Sequence, residues 1–293
     1  MKTTSVSGKV FNVFNALFLI LLAFLCLFPL VNVLAVSLSS STAASSGEVS
    51  LWPVDFTWQS YNFVLQKPEF MKALGVSVER VLLGTALNML LTITLAYPLS
   101  KESFAFRGRL FYVWFFVLTM LIGGGIVPWY LVIQKLHLLG TMGALILPGA
   151  VNVFNAVLLL NFYRGLPKEL EEAAFVDGAG HWTILWKVYV PLSMPAIATL
   201  ILFSMVGHWN SWFDGLILMN SPDKYPLQSY LQTVVINRDL SLVSMVDAEA
   251  LADISDRTLK GAQIFLAALP IICVYPFLQR FFIKGVIVGS VKE

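Results

Sequence analysis

Chemistry in this 293-residue chain would have to be built from few groups: three histidines (His137, His181 and His208), two cysteines and 17 carboxylates. The histidines are widely separated, so no metal-ligand cluster is apparent, and no H-E-x-x-H run or nucleophile beside its base occurs. His208 and Asp214 are the nearest acid–base pair, but six residues apart they do not share a helix face. Two other groupings carry more. The first is a set of polar and aromatic side chains in otherwise apolar sequence: Asn88; Asn152 and Asn155, three apart and so expected on one helix face; and His208, Trp209, Asn210, Trp212 and Asp214. Such groups either tie helices together, anchor at an interface, or meet a polar ligand by hydrogen bonds and stacking. The second is Glu169, Glu171 and Glu172, followed by Ala173, Ala174, Asp177, Gly178 and Ala179. Pro167 suits a helix start, carboxylates suit its first turn, and Asp177-Gly178 suits its end. A short helix of that kind, with small residues and a carboxylate, fits a groove on another protein.

The elements that must position these residues follow from charge. Hydrophobic residues make up 58% of the chain and charged residues only 12%, against about 25% in a soluble domain. Mean hydropathy is +0.78. A soluble protein of this size could not hide so much apolar surface. A water-soluble enzyme, a disordered chain and a disulfide-rich secreted domain are excluded, and a net charge of +2 gives no basic field for nucleic acid. Stretches free of Asp, Glu, Lys and Arg mark the spans. Lys9 to Glu48 encloses 38 such residues, Arg80 to Lys101 20, Arg109 to Lys135 25, Lys135 to Arg164 28, Lys187 to Asp214 26 and Lys260 to Arg280 19. A span needs about 20 apolar residues, and continuous runs of this length are helices rather than barrel strands. The expectation is an all-α integral membrane protein with six spans, at roughly 10–36, 81–100, 110–134, 142–162, 192–213 and 261–279. The first is longer than a signal-peptide core and is read as an uncleaved anchor. Pro29, Pro148 and Pro270 are expected to mark kinks, and Gly123–Gly125 with Pro128 to serve packing or a break.

Six spans put both termini on one side. The terminal tails and the segments 101–109 and 163–190 hold 11 Lys and Arg in about 60 residues; the opposite segments hold 8 in about 100. The denser side faces the cytoplasm, and with it both termini. Outside, the run Ser37–Ser46 is expected to be flexible. The aromatics Trp52, Phe56, Trp58, Tyr61 and Phe63 behind it read as an interface belt or a docking surface. Inside, 163–190 reads as helix, sharp turn and helix.

That internal segment carries a resemblance. Glu172-Ala173-Ala174-Phe175-Val176-Asp177-Gly178-Ala179, then Ile184 and Pro191, is similar to the EAA loop of ABC-importer permeases, with Val190-Pro191 where the family pattern usually has Leu-Pro. Gly123-Gly124-Gly125-Ile126-Val127-Pro128, Ala144 to Gly149, Gly207 to Trp212 and Tyr275 to Gly285 resemble further segments of the MalG-like carbohydrate permeases, in the LplC/YtcP-like branch. The resemblance implies the type I importer permease fold over the whole chain, with 163–190 as coupling loop. It implies a second homologous permease, two ATPase subunits and an extracytoplasmic sugar-binding protein as partners, in the bacterial inner membrane. Glu172, Ala173, Ala174, Asp177, Gly178 and Ala179 would then meet the ATPase. Asn88, Asn152, Asn155, Trp209, Asn210, Trp212 and Asp214 would be candidates for the substrate path. Relatives in that branch are associated with oligosaccharides, some of them uronate-containing, such as pectin fragments or alginate. The chain has no G-x-x-x-x-G-K-[ST] loop; it needs no cofactor of its own, and ATP and Mg would be bound by the partner ATPase. A stand-alone secondary transporter is disfavoured by the lack of similarity between the two halves, and a membrane enzyme by the missing reactive constellation.

Overall fold

The structure is a computed structural model that describes residues 6–102, 106–236 and 255–290, with side chains described for 7–102, 106–234 and 255–277. Among the described residues all regular structure is helical. In chain order the helices are α1 (Val6–Ser37), α2 (Ser41–Ser46), α3 (Gln59–Gln66), α4 (Pro68–Ser100), α5 (Arg109–Leu121), α6 (Ile126–Lys135), α7 (Met142–Ile146), α8 (Val153–Arg164), α9 (Lys168–Val176), α10 (His181–Ile184), α11 (Val190–Leu192), α12 (Met194–Asn210), α13 (Phe213–Leu218), α14 (Leu227–Leu231) and α15 (Asp256–Ser290). Three are long and apolar enough to cross a bilayer alone: α1, α4 and the Asp256–Phe277 part of α15. Three more candidates are bent pairs: α5 with α6 at 113°, Met142–Gly149 with α8 at 46°, and His181–Leu192 with α12 at 83°. Counting each pair once gives six, the number the charge-free gaps predict.

The gaps and the helices differ in detail. The third span is not one helix: Ile122 turns extended, Gly123–Gly125 offer no side chains to pack, and α6 restarts with Pro128 in its first turn, where its missing N–H breaks no bond. Pro148 falls in a 3-10 turn, Leu147–Gly149, at the break in the fourth span, whereas Pro29 and Pro270 lie inside unbroken helices. Conversely α4 begins 13 residues before its predicted span, at Pro68. At 33 residues it is about 50 Å long, more than the roughly 30 Å that hydrocarbon requires of a span.

The chain divides into two compact units, Met1–Phe70 with Thr233–Leu269, and Met71–Gln232 with Pro270–Glu293. In the first, Val10 to Leu30 of α1 carries a sleeve of exposed apolar side chains. The run Ser37–Ser46, expected to be flexible, is ordered. The Ser40 hydroxyl accepts from the Ala43 N–H to cap α2, Ala43 and Ala44 are buried with Ala35 and Val36, and Arg257 donates to the Ala44 carbonyl at 3.1 Å. Small residues here permit close packing rather than disorder. Phe56, Trp58 and Tyr61 form a chain of edge-to-face rings, and Tyr61 shares a 2.8 Å hydrogen bond with Ser37. In the second unit, Met89, Ile93, Ala96 and Tyr97 of α4 pack with Leu159, Leu160 and Tyr163 of α8, and with Ile184, Leu185, Tyr189, Ile197 and Leu200.

Candidate functional site

Both candidate regions lie in the second unit. The first is a polar pocket of about 330 Å³ lined by residues of α4, α6, α7, α12, α13 and their flanking turns, among them Arg80, Asn88, Trp129, Asn152, His208 and Asp214. Arg80 anchors it. Its guanidinium, 3% exposed, grips the Asp214 carboxylate with both terminal nitrogens, one of them 3.1 Å from Oδ1. The same nitrogens donate to the carbonyls of Ser211 and Leu145 at 3.4 Å. Asp214 also accepts from the Ser211 hydroxyl and the Gly215 N–H, both at 2.9 Å. Gly84 brings α4 against the His208 ring: a Cβ there would sit 2.5 Å from Nε2.

The predicted path residues separate in this light. Asn88, 3% exposed, donates to the carbonyls of Gly149 and Ala150 at 2.9 and 3.0 Å and accepts from the Ser204 hydroxyl at 3.0 Å. It rescues the carbonyls freed where the fourth span breaks, and only an edge of it reaches the pocket. Asn152 is not on a helix face with Asn155: it is the cap of α8, its Oδ1 accepting from the Asn155 N–H at 3.0 Å, and it lines the pocket. Asn155 is buried, its amide nitrogen unpartnered. Trp209 is buried and lines a separate apolar pocket of about 190 Å³ with Val78, Leu82 and Met205. Asn210 and Trp212 are exposed at the end of α12, which stops at Asn210 rather than running through 213. Asn88, Asn152, His208 and Asp214 thus converge; Asn155, Trp209, Asn210 and Trp212 do not. Sequence reading misses Arg80, Trp129, Ser204 and Ser211. Arg80 is visible as the charge that opens a charge-free run, and such a run's boundary is where a charge can turn inward.

The second region is the elbow. α9 starts after Pro167, and Glu169 and Glu171 stand in its first turn, near the positive end of its dipole. It closes in a Schellman motif: the Gly178 N–H donates to the Phe175 carbonyl at 3.0 Å, the Ala179 N–H to the Ala174 carbonyl at 2.9 Å, and Gly178 takes φ +80°. Ala174 and Ala179, the pair such a motif brings together, pack on the core. Glu172, Ala173, Val176, Asp177 and Gly178 are exposed, Val176 at 88%. The neighbouring Glu171, not singled out for a role, is the one drawn inward. Lys101 donates to its Oε1 at 2.6 Å and to the Tyr189 hydroxyl at 3.0 Å, and Tyr189 donates to its Oε2 at 2.6 Å. The Lys101 ammonium lies over the rings of Tyr97 and Tyr189, 3.9 and 4.1 Å from their centroids. Burial pulls the Lys101 pKa below its ordinary value, and the Glu171 hydrogen bond and charge oppose the shift. Outside this cage Lys168 pairs with Glu102 in solvent, and that hydrogen bond holds the Lys168 pKa up. A further pocket of about 530 Å³ beside α9 is lined by these groups with Arg109, Arg164 and Glu172.

A family model described as "Binding-protein-dependent transport system inner membrane component" matches residues 104–288, well over half of the chain. The chain belongs to this family. Protein LplC of Bacillus subtilis (strain 168) is 40% identical over 286 residues, covering 98% of this chain and 96% of that protein. The polygalacturonan/rhamnogalacturonan transport system permease protein YtcP of the same organism is 36% identical over 285 residues, covering 97% and 99%. Among solved structures, a chain of a bacterial ABC transporter involved in the import of the acidic polysaccharide alginate superposes with a TM-score of 0.88 at 32% identity, covering 96% of this chain and all of that one. The chain is therefore an inner-membrane permease of a binding-protein-dependent ABC importer, a transport subunit and not an enzyme, with the importer permease fold.

Proposed function

We propose that this chain is one of two homologous permeases that together line the pathway of an ATP-driven oligosaccharide importer, and that its substrates are acidic, uronate-containing chains of the alginate or pectin kind. The observation that carries the substrate class is agreement between two sources: a relative at 36% identity named for polygalacturonan and a structural neighbour at 32% identity that imports alginate. Both name acidic polysaccharides. The polar pocket supports the reading: His208 and the Asn152 amide offer hydrogen bonds, and Trp129 a ring on which a sugar face can stack. The pocket is one wall of the path, and the second permease supplies the other. A substrate-loaded binding protein presents the sugar on the outer side. Both termini and the elbow lie on the cytoplasmic side, where α9 presents Glu172, Ala173, Val176 and Asp177 to one of two ATPase subunits, which bind ATP and Mg. ATP favours the closed ATPase dimer, and that preference shifts the pathway between its two open states.

The test is uptake by the purified complex in liposomes with its binding protein. Alginate and galacturonate oligosaccharides compete with neutral arabino-oligosaccharides of equal length. Preferential uptake of the uronates is expected. Uptake confined to the neutral chains overturns the substrate class, and a complex containing this permease twice overturns the heterodimer.

A further inference from the structure

We propose that the Lys101–Glu171–Tyr189 cage is the mechanical link through which movement of α9 reaches the membrane-spanning helices. This rests on the reading of α9 as the ATPase-contacting helix.

The geometry assigns the role to these residues. α9 is nine residues long, none of them is fully buried, and its hold on the apolar core is the small Ala174. Its buried charged tie is Glu171, one turn from its start; the Lys168–Glu102 pair is exposed. Lys101 follows directly on the last residue of α4, and its side chain is only 12% exposed. Tyr189 ends the π-helical segment Leu185–Tyr189, which passes through α11 into α12. One ammonium, one carboxylate and one phenol therefore join three elements: the coupling helix, the end of α4 and the entry to α12. The joint is closed. Both carboxylate oxygens are occupied, and the ammonium has two hydrogen bonds and two aromatic faces. Tyr97, one of the two rings, is itself 3.1 Å from His181 Nδ1 at the start of α10, which holds the far side of the elbow to the same helix. A charged pair largely shut off from water, in the corner of two rings set at 86° to each other, resists being pulled apart far better than the exposed Lys168–Glu102 pair beside it. Glu172, by contrast, is exposed and has room to meet a partner. Adjacent carboxylates thus divide the work: Glu172 faces outward to the motor, and Glu171 faces inward to the load.

The experiment uses the assembled transporter in liposomes and reads sugar uptake per ATP hydrolysed, with loaded binding protein present. Glu171→Gln and Lys101→Met keep side-chain size and remove one charge each. Both are expected to lower uptake per ATP at least about fivefold, the low end of a typical coupling effect, in complexes that retain their ATPase subunits and thermal stability. Lys101→Arg, which keeps the charge, is expected to recover most of it. A merely structural role would lower stability and leave the ratio unchanged. If Glu171→Gln and Lys101→Met do not assemble, Tyr189→Phe keeps both rings, removes the two hydrogen bonds of the hydroxyl, and is read the same way. An unaltered ratio in an intact complex overturns the proposal. Ala173→Arg, on the exposed face of α9, separates the two readings. If it leaves ATPase binding and coupling untouched, α9 is not the ATPase contact, and the link falls with it. If it expels the ATPase while Glu171→Gln couples normally, only the link falls.

Discussion

Arg80 and Asp214 offer a direct measure of how this fold tolerates charge near its polar pocket. Arg80→Met leaves Asp214 with two neutral donors, the Ser211 hydroxyl and the Gly215 N–H. Breaking a buried ion pair from one side costs about 3–5 kcal/mol. Asp214 keeps 18% of its side chain exposed and borders a pocket water can enter, so the lower end, about 3 kcal/mol, is expected. Asp214→Asn orphans the other charge, and Arg80 is only 3% exposed. That variant should lose more, about 4–5 kcal/mol, because a guanidinium with less access to water has less to replace its partner. The double variant leaves no charge uncompensated. The amide oxygen introduced by Asp214→Asn would still accept from Ser211 and Gly215, so the double should lie within about 1–2 kcal/mol of the unaltered protein. The assay is a double-mutant cycle on unfolding in mixed micelles titrated with sodium dodecyl sulfate, with fluorescence-detected size exclusion to confirm that each variant starts monodisperse. Losses that simply add, so that the double variant is the least stable of the three, would refute the reasoning: the charges would then not depend on each other.

Two further outcomes follow from the same contacts. Asn88→Leu removes both donors to the Gly149 and Ala150 carbonyls and strands the Ser204 hydroxyl, so it should destabilise the chain by about 2–4 kcal/mol in the same titration, more than Asn210→Leu at its exposed position. Burial lowers the Lys101 pKa, so the ammonium loses its proton as pH rises through a value below the ordinary lysine range, and the Glu171 pair goes with it. Uptake per ATP should decline on the alkaline side, and Lys101→Arg should move that decline to higher pH.

Six spans are legible in the sequence because hydrocarbon excludes charge, and the gaps between charges record that exclusion without any knowledge of packing. The elbow is legible because helix-start carboxylates, alanines and an Asp-Gly stop are local signals, and a Schellman closure at Gly178 needs only local geometry. What is not legible depends on contacts between distant residues. Asn152 and Asn155 have the spacing of a helix face, yet a break three residues after Pro148 makes the first of them a cap. Trp209 and Asn210 are neighbours of His208, but the helix turns Trp209 toward Val78 and Met205, and away from the polar pocket. Arg80 and Lys101 read as loop cations in the sequence, because charges used as boundaries say nothing of what those boundary charges touch.

Those two boundary charges have a joint consequence. The 20 residues between Arg80 and Lys101, about 30 Å of helix, are tied at one end to Asp214, in the first turn of α13 just beyond α12, and at the other to Glu171 of α9 and to Tyr189, which leads through α11 into α12. Between them, Asn88 holds α4 to Ser204 of α12 and to the Gly149–Ala150 turn. Three polar ties spaced along one apolar helix leave α4 and α12 no independent sliding or rotation without exposing a buried charge or amide, at a cost of a few kcal/mol per tie. Apolar contacts alone would not enforce this, since one lipid-like surface slides over another with little penalty in a bilayer. On the proposed coupling through α9, α4 and α12 would move as a single lever, with the polar pocket borne between them. On this view the ion pairs are kept for rigidity rather than for stability, and replacing all three ties with well-packed apolar residues should yield a protein that still folds and still inserts, yet hydrolyses ATP through its partners without moving sugar in proportion.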